Sequence, residues 1–314
     1  MAGSDIDCVV IGEGGAPLEE TLQSLSEAGY YRGAVHLFVV GGERSEAASA
    51  RFPGVTFISE ATGNRAKARN VGWDRGSSPL VQFLESGDRI NPEWFQRATK
   101  EIEGGVAAIC GQIVPTNPDK NRWHRIAYLD SKADLAEGRL LDLEPLLRRE
   151  MLEETGGYNE SLPHGGALEF NARLTATGRR VIHLNFPMAE RQIHIPNWKG
   201  YWKEGVKSGY RVGAAFWRGR DWTLVRQILG RGLGALFVTL LALLGLFVTP
   251  LTLFFLLPAA ILLLWPRIFE TERVAKQEGF SHEDSALYTW HRSLLVLPQL
   301  WGMLRYLMGR VVRP

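Results

Sequence analysis

Glu85 and Asp88 stand three residues apart where an apolar run, PLVQFLE (Pro79–Glu85), gives way to polar sequence. Carboxylates at such a place can bind a ligand or hold a divalent cation. They can also be solvated residues in a turn ahead of Asn91-Pro92. Another apolar run, DCVVIG (Asp7–Gly12), leads into Glu13, Gly14 and Gly15. Gly12, Gly14 and Gly15 resemble a phosphate-cradling loop, although neither a GxGxxG spacing nor a Walker lysine follows. The two cysteines, Cys8 and Cys110, lie inside apolar runs and read as small buried hydrophobes. With no CxxC or HExxH spacing, no structural zinc is expected.

The elements that position these residues alternate. DCVVIG, VHLFVV (Val35–Val40), VTFIS (Val55–Ser59), PLVQFLE and VAAICGQIV (Val106–Val114) read as strands. Between them, Pro17 suits a first helical turn, with Leu18, Leu22 and Leu25 on one face. Asn64 can cap a helix to about Trp73, and Asn91-Pro92 opens another to about Ile102. Apolar strands with helical crossovers imply an α/β fold, a mostly parallel sheet with helices on both faces. Ligands then sit beyond the strands' carboxyl ends, which singles out the loops after Ile11, Val40 and Leu84. Pro115 to about Arg139 reads as polar and irregular. Leu140–Tyr158 reads as an extended piece and a short helix stopped at Gly156-Gly157, and Gly166–Val181 as an amphipathic helix with Gly178 as its stop.

The net charge of +2 over 314 residues excludes little, but its distribution is informative. Gln192–Arg231 carries eight basic residues against two acids, immediately before an uncharged stretch of 35 residues, Gly232–Pro266. That pairing favours a polybasic collar on anionic lipid over a nucleic-acid patch, so no nucleic-acid partner is expected. Trp198, Tyr201, Trp202, Tyr210, Trp217 and Trp222 interleave with the collar, as at a membrane interface; aromatic platforms also stack on sugars. One span needs about 20 residues and two about 40, and Pro250 near the middle predicts two short spans over one kinked helix. Basic flanks at Arg231 and Arg267 fit a hairpin with both ends inside. Leu294–Met308 reads as interfacial or as a short third pass. No signal peptide is legible at the N-terminus, so the first domain is expected in the cytoplasm, under an inner membrane crossed more than once. Four segments result: 1–190, 191–231, 232–266 and 267–314.

Three motifs, in order, resemble the GT-A-fold, Rossmann-like glycosyltransferases of family 2. Gly63-Asn64-Arg65-Ala66-Lys67-Ala68-Arg69-Asn70-Val71-Gly72 looks like the family's "G-x-x-x-A-R-N-x-G" helix. Phe83-Leu84-Glu85-Ser86-Gly87-Asp88 stands where the family writes "F-L-D-x-D-D". Glu154-Thr155-Gly156-Gly157-Tyr158-Asn159-Glu160 looks like its "G-G-F-D-E" loop, with a helix like "G-E-D-x-D-L-x-x-R" following. The resemblance covers about residues 5–210. It implies an inverting transfer of a sugar from a nucleotide-sugar donor to a lipid-linked or glycan acceptor.

The resemblance also implies roles. Gly12, Glu13, Glu43, Arg69, Asn70 and Glu85 would contact the donor. Asp88 and His194 would hold a divalent metal, Mg or Mn, and Glu169 would be the catalytic general base. Arg69 could instead pair with a nearby carboxylate such as Asp88, and His194 could be a satisfied, half-buried histidine. The sequence departs from the family at each acidic motif. Gly41 stands for the Asp ending the second strand, Gly87 for the second Asp of Asp-x-Asp, and Gly166-Ala167 for the Glu-Asp pair. Two readings follow: a transferase using Glu85, Asp88 and Glu169 as substitutes, or a catalytically degenerate relative that binds or scaffolds in a membrane glycan-assembly system. The oligomeric state is open.

Overall fold

The computed structural model describes residues 5–12, 15–29, 35–41, 50–59, 64–102, 105–136, 144–162, 166–193, 195–219, 222–245 and 247–312. They fall into two compact units, Met1–Asn117 with Glu137–Ile193, and Pro118–Ala136 with His194–Pro314.

The first unit is built on a mixed, mostly parallel sheet. Its strands are β1 (Ile6–Ile11), β2 (Val35–Val40), β3 (Val55–Ile58), β4 (Leu80–Glu85), β5 (Asp88–Ile90), β6 (Val106–Pro115), β7 (Leu146–Arg148) and β8 (Arg180–Arg191). Their order is β3-β2-β1-β4-β7-β6-β8-β5. β1 runs parallel to β2 and β4, while β7 and β5 pair antiparallel to their neighbours. The helices are α1 (Ala16–Glu27), α2 (Arg65–Arg75), α3 (Trp94–Glu101), α4 (Arg122–Ala136, in the second unit), α5 (Arg149–Thr155) and α6 (Gly166–Ala176).

Every residue of β1 is buried, so the strand is covered on both faces. Ile6, Cys8 and Val10 pack with Leu18, Leu22 and Leu25 of α1 and Trp94 of α3. Val9 and Ile11 point the other way, to Ala66 and Ala68 of α2 and Phe170 and Leu174 of α6. Each large apolar side chain so buried stabilises the fold by about 1.5–3 kcal/mol. Cys8 and Cys110 are free, buried thiols within this core.

Local chemistry sets the element ends. The Asn64 carboxamide oxygen accepts the N–H groups of Ala66 and Lys67, which caps α2. α5 ends on Gly156 in the left-handed region, φ 75°. Ile11 is the Cα partner of both Val40 and Glu85, so the carboxyl ends of β1, β2 and β4 lie in one row. The chain leaves β1 toward β2 on one side and β4 on the other, and a ligand crevice belongs at such a switch point.

Two elements differ from the sequence reading. The polar stretch after Pro115 contains a 15-residue helix, α4. Asn121 caps it by accepting from Trp123 and His124, and Ile126, Leu129 and Ala133 form its buried stripe among charged neighbours. The supposed turn at Asp88 is a short strand, β5, paired with β8.

The second unit continues with α7 (Trp198–Gly219), α8 (Trp222–Gly245), a 3-10 turn (Pro250–Phe255), α9 (Leu256–Phe269), α10 (Thr271–Glu278) and α11 (His282–Val312). Two segments among the described residues, Val225–Gly245 and Pro250–Glu278, are long and apolar enough to cross a membrane. The break between them falls at Thr249-Pro250, where proline lacks a donor and disfavours helix at the residue before it. Gly245 packs on Thr252 and Gly234 on Leu262, so the two arms run antiparallel. Phe237 and Phe254 are exposed on them, and Phe247 is exposed in the turn between. Leu294–Met308 lies within α11, with Val296, Leu300, Met303 and Tyr306 buried. Gly205 of α7 faces Pro298 and Gly213 faces Met303 and Tyr306, so α7 and α11 run parallel in close contact. Trp198 stacks on Tyr201 and lies beside Trp202; the side chains of Trp217 and Trp222 fall outside the described residues.

Candidate active site at the strand ends

At the carboxyl end of β4 the structure gathers three carboxylates and three guanidinium groups. Asp88 and Arg191 are Cα partners across the antiparallel pair of β5 and β8. Asp88 Oδ1 accepts from Arg191 Nε at 2.6 Å, and Oδ2 accepts from Arg191 Nη2 at 2.8 Å and from the Glu85 backbone N–H at 2.8 Å. Glu85 lies 2.9 Å from Arg65 Nη1, 3.4 Å from Arg69 Nη2 and 3.9 Å from Arg191 Nη1. Glu144, just ahead of β7, pairs with Arg69 Nη2 and lies 3.7 Å from Arg191. The Tyr158 ring lies under Arg69, 5.2 Å from centroid to guanidinium carbon.

The environment sorts the carboxylates. Burial works to raise the Glu85 pKa, but Arg191, Arg65 and Arg69 outweigh it and hold the group below the usual carboxylate range. Burial dominates at Glu144; Glu85 and Asp88 add to it against Arg69 and Arg191, and the pKa is pushed up to about 7. Arg69 Nε, Glu144 Oε2 and the Tyr158 hydroxyl are buried with no hydrogen-bond partner.

This donor set does not fit a divalent metal. Both Asp88 oxygens already accept from Arg191, and Glu85 faces three cations. Among the described residues no three His, Cys, Asp or Glu side chains gather as a metal cage.

The expected site residues are distributed as follows. Gly12 sits beside the cluster with φ 143°, and a Cβ there would stand 2.6 Å from Ser86 Cβ. Its N–H donates to Val40 O and Ser86 N–H donates to Ile11 O, which ties the three strand ends together. Glu85, Asp88 and Arg69 are all in the cluster, with Arg69 paired to carboxylates. Asn70 lies on α2 and locks the Tyr158 loop, donating to Tyr158 O and Glu160 and accepting from Tyr158 N–H and Trp73. Glu169 is fully buried and bidentate with Arg173, at 2.8 and 3.0 Å. Arg173 also donates to the carbonyls of Thr155 and Gly157. Glu13, Glu43 and His194 lie outside the described residues. Sequence reasoning missed Arg65, Glu144 and Arg191. Arg65 lay inside a quoted motif; the other two carry no motif, and only the pairing of β5 with β8 and the position of Glu144 ahead of β7 bring them in.

The Glycosyl transferase family 2 model matches residues 10–158. That match covers just under half of the chain, and the fold of the first unit is GT-A. The mannosyltransferase PcManGT from Pyrobaculum calidifontis, in complex with GDP-Man and Mn2+, shares the fold with a TM-score of 0.57 at 15% identity, over 98% of this chain and 88% of that one. S. aureus TarS 1-349 does so with a TM-score of 0.50 at 13% identity, over 91% and 89%. Glycosyltransferase AglE of Haloferax volcanii is 24% identical over 117 residues. That match takes in 35% of this chain and 38% of AglE, so this chain spans well under half of that relative.

Proposed function

We propose that this chain transfers a glycosyl residue from a nucleotide-sugar to a membrane-bound or exported-glycan acceptor, in one inverting displacement. One observation carries the reading: Arg65 and Arg69 of α2 meet Glu85 at the β1–β4 switch point of a GT-A domain. Guanidinium groups there can face a diphosphate and offset the charge that builds on it as it leaves. Glu169 is the proposed general base, and its pairing with Arg173 must loosen for it to take the acceptor proton. The α8–α9 hairpin is proposed to hold the domain at the cytoplasmic face of the inner membrane, within reach of a lipid-borne acceptor.

A second reading, binding without transfer, is favoured by a different observation. Glu85, Asp88 and Glu169 are each paired with arginine. One experiment tests both. The detergent-purified chain is incubated with radiolabelled UDP- and GDP-sugars and a membrane lipid extract. Label in lipid or polymer, lost in Glu169→Gln with nucleotide binding retained, supports transfer. Nucleotide binding without turnover supports the scaffold reading, and no nucleotide binding sinks the transfer reading.

A further inference from the structure

We infer that this site takes the donor's diphosphate without a divalent metal, with Arg65 and Arg191 as the cations that meet it and Arg69 as their internal support. The inference rests on the nucleotide-sugar reading above and deepens it.

The argument begins with what a metal would have to displace. A divalent ion needs free carboxylate oxygens. Asp88 gives two to Arg191 and is fully buried; its Oδ2 also receives the Glu85 N–H. Freeing them would strand a largely buried guanidinium beside an incoming dication. The charge count points the same way. Three guanidinium groups, Arg65, Arg69 and Arg191, face the paired carboxyl groups of Glu85 and Asp88. Glu144, walled off from water, resists a further negative charge. Such a cluster receives an anion more readily than a cation.

Exposure then says which cations the anion meets. The Arg65 side chain is 68% exposed and that of Arg191 29%, against 6% for Arg69. Arg191 commits Nε and Nη2 to Asp88, while its Nη1 is 3.9 Å from Glu85, beyond hydrogen-bond range, and remains free to donate. Arg65 is placed by the Asn64 cap at the first turn of α2. Gly12 adds a side-chain-free strand end beside them. A planar guanidinium pair suits phosphate oxygens in two-point contact, which a single metal ion would otherwise bridge.

The test is calorimetry of the detergent-purified full chain with UDP and with GDP, first in EDTA and then in Mn2+. The expected result is equal affinity in both conditions. Arg65→Gln should weaken binding about tenfold. Because Arg65 is exposed, that variant keeps its fold, which circular dichroism checks; Arg191→Gln should weaken binding at least as much. Binding that appears only with Mn2+ overturns the inference and leaves the transferase reading standing. Unchanged affinity in Arg65→Gln also overturns it. No binding in either condition overturns both.

Discussion

Asp88 and Arg191 face each other across the β5–β8 pair and make a two-point bond, with Asp88 wholly out of solvent. Removing one partner of such a pair leaves an uncompensated buried charge and costs about 3–5 kcal/mol. Arg191→Ala is therefore expected to lower the stability of the first unit by roughly that amount, read from thermal unfolding of the purified protein. Asp88→Leu combined with Arg191→Met should recover much of the loss, because neither charge is then stranded. A single-variant loss under about 1 kcal/mol would mark the pair as water-screened.

Glu144 makes stability depend on pH in an unusual direction. Its pKa rises from an ordinary 4.5 to about 7 in the folded protein. The folded state therefore holds a proton that the unfolded state has released, and stability falls as pH rises between those values. The contribution is fully present below about 4.5 and lost by about 7. Glu144→Gln should remove this slope, so the variant gains on the parent as pH rises from 5 to 8. Parallel melting curves for the two proteins across that range would disprove the assignment.

The sheet was legible because β-branched runs and their helical crossovers obey local rules. Asn64, Pro17 and Gly156 are punctuation that acts within a few residues. The site was half legible for the same reason. Glu85, Asp88 and Arg69 sit in motifs tied to a strand end or a helix, and they do converge. Arg191 and Glu144 reach them from 103 and 75 residues away in chain order. A three-residue strand such as β5 gives too short a pattern to announce that partnership. α4 was missed because its apolar stripe is thin and its flanks are charged.

Asn70 works as a clasp between α2 and the loop after α5. Its amide donates to Tyr158 O at 2.9 Å and Glu160 at 2.8 Å, and accepts from Tyr158 N–H at 2.8 Å. Asn70→Ala should cost about 2–3 kcal/mol, at roughly 1 kcal/mol per bond. Gly157 has φ 68°, and a Cβ on it would stand 2.6 Å from Asn70 Oδ1. Gly157→Ala should thus be more damaging in the parent than in Asn70→Ala, where the Asn70 clash is gone and the backbone strain and a 3.3 Å approach to Trp73 Nε1 remain. A double-mutant cycle in thermal melts reads that difference.

The antiparallel arms of α8 and α9 make a topological prediction. If they cross a bilayer as a hairpin, positions before Arg231 and after Arg267 lie on one side and Val248 on the other. Single cysteines replacing Arg226, Val248 and Glu272, in a background without Cys8 and Cys110, should be labelled by an impermeant maleimide accordingly. In right-side-out cells only the Val248→Cys protein should react. Labelling of all three from outside would place the arms on a surface instead.

Glycines decide how closely α7 and α11 approach. A Cβ on Gly209 would fall inside the carbonyl of Gln299, and one on Gly302 inside the carbonyl of Val206. These are backbone atoms of the facing helix, so neither site can relax by turning a side chain. Gly302→Ala should force the helices apart at a cost of about 1–3 kcal/mol, despite alanine's better helix propensity. Gly230 in α8 supplies the control, since a Cβ there meets nothing within 4 Å. Gly230→Ala should stabilise by up to about 1 kcal/mol from propensity alone. Opposite shifts in melting temperature for the two substitutions would confirm that contact distance, and not helix preference, sets the sign. Equal stabilisation by both would show that α7 and α11 do not approach this closely.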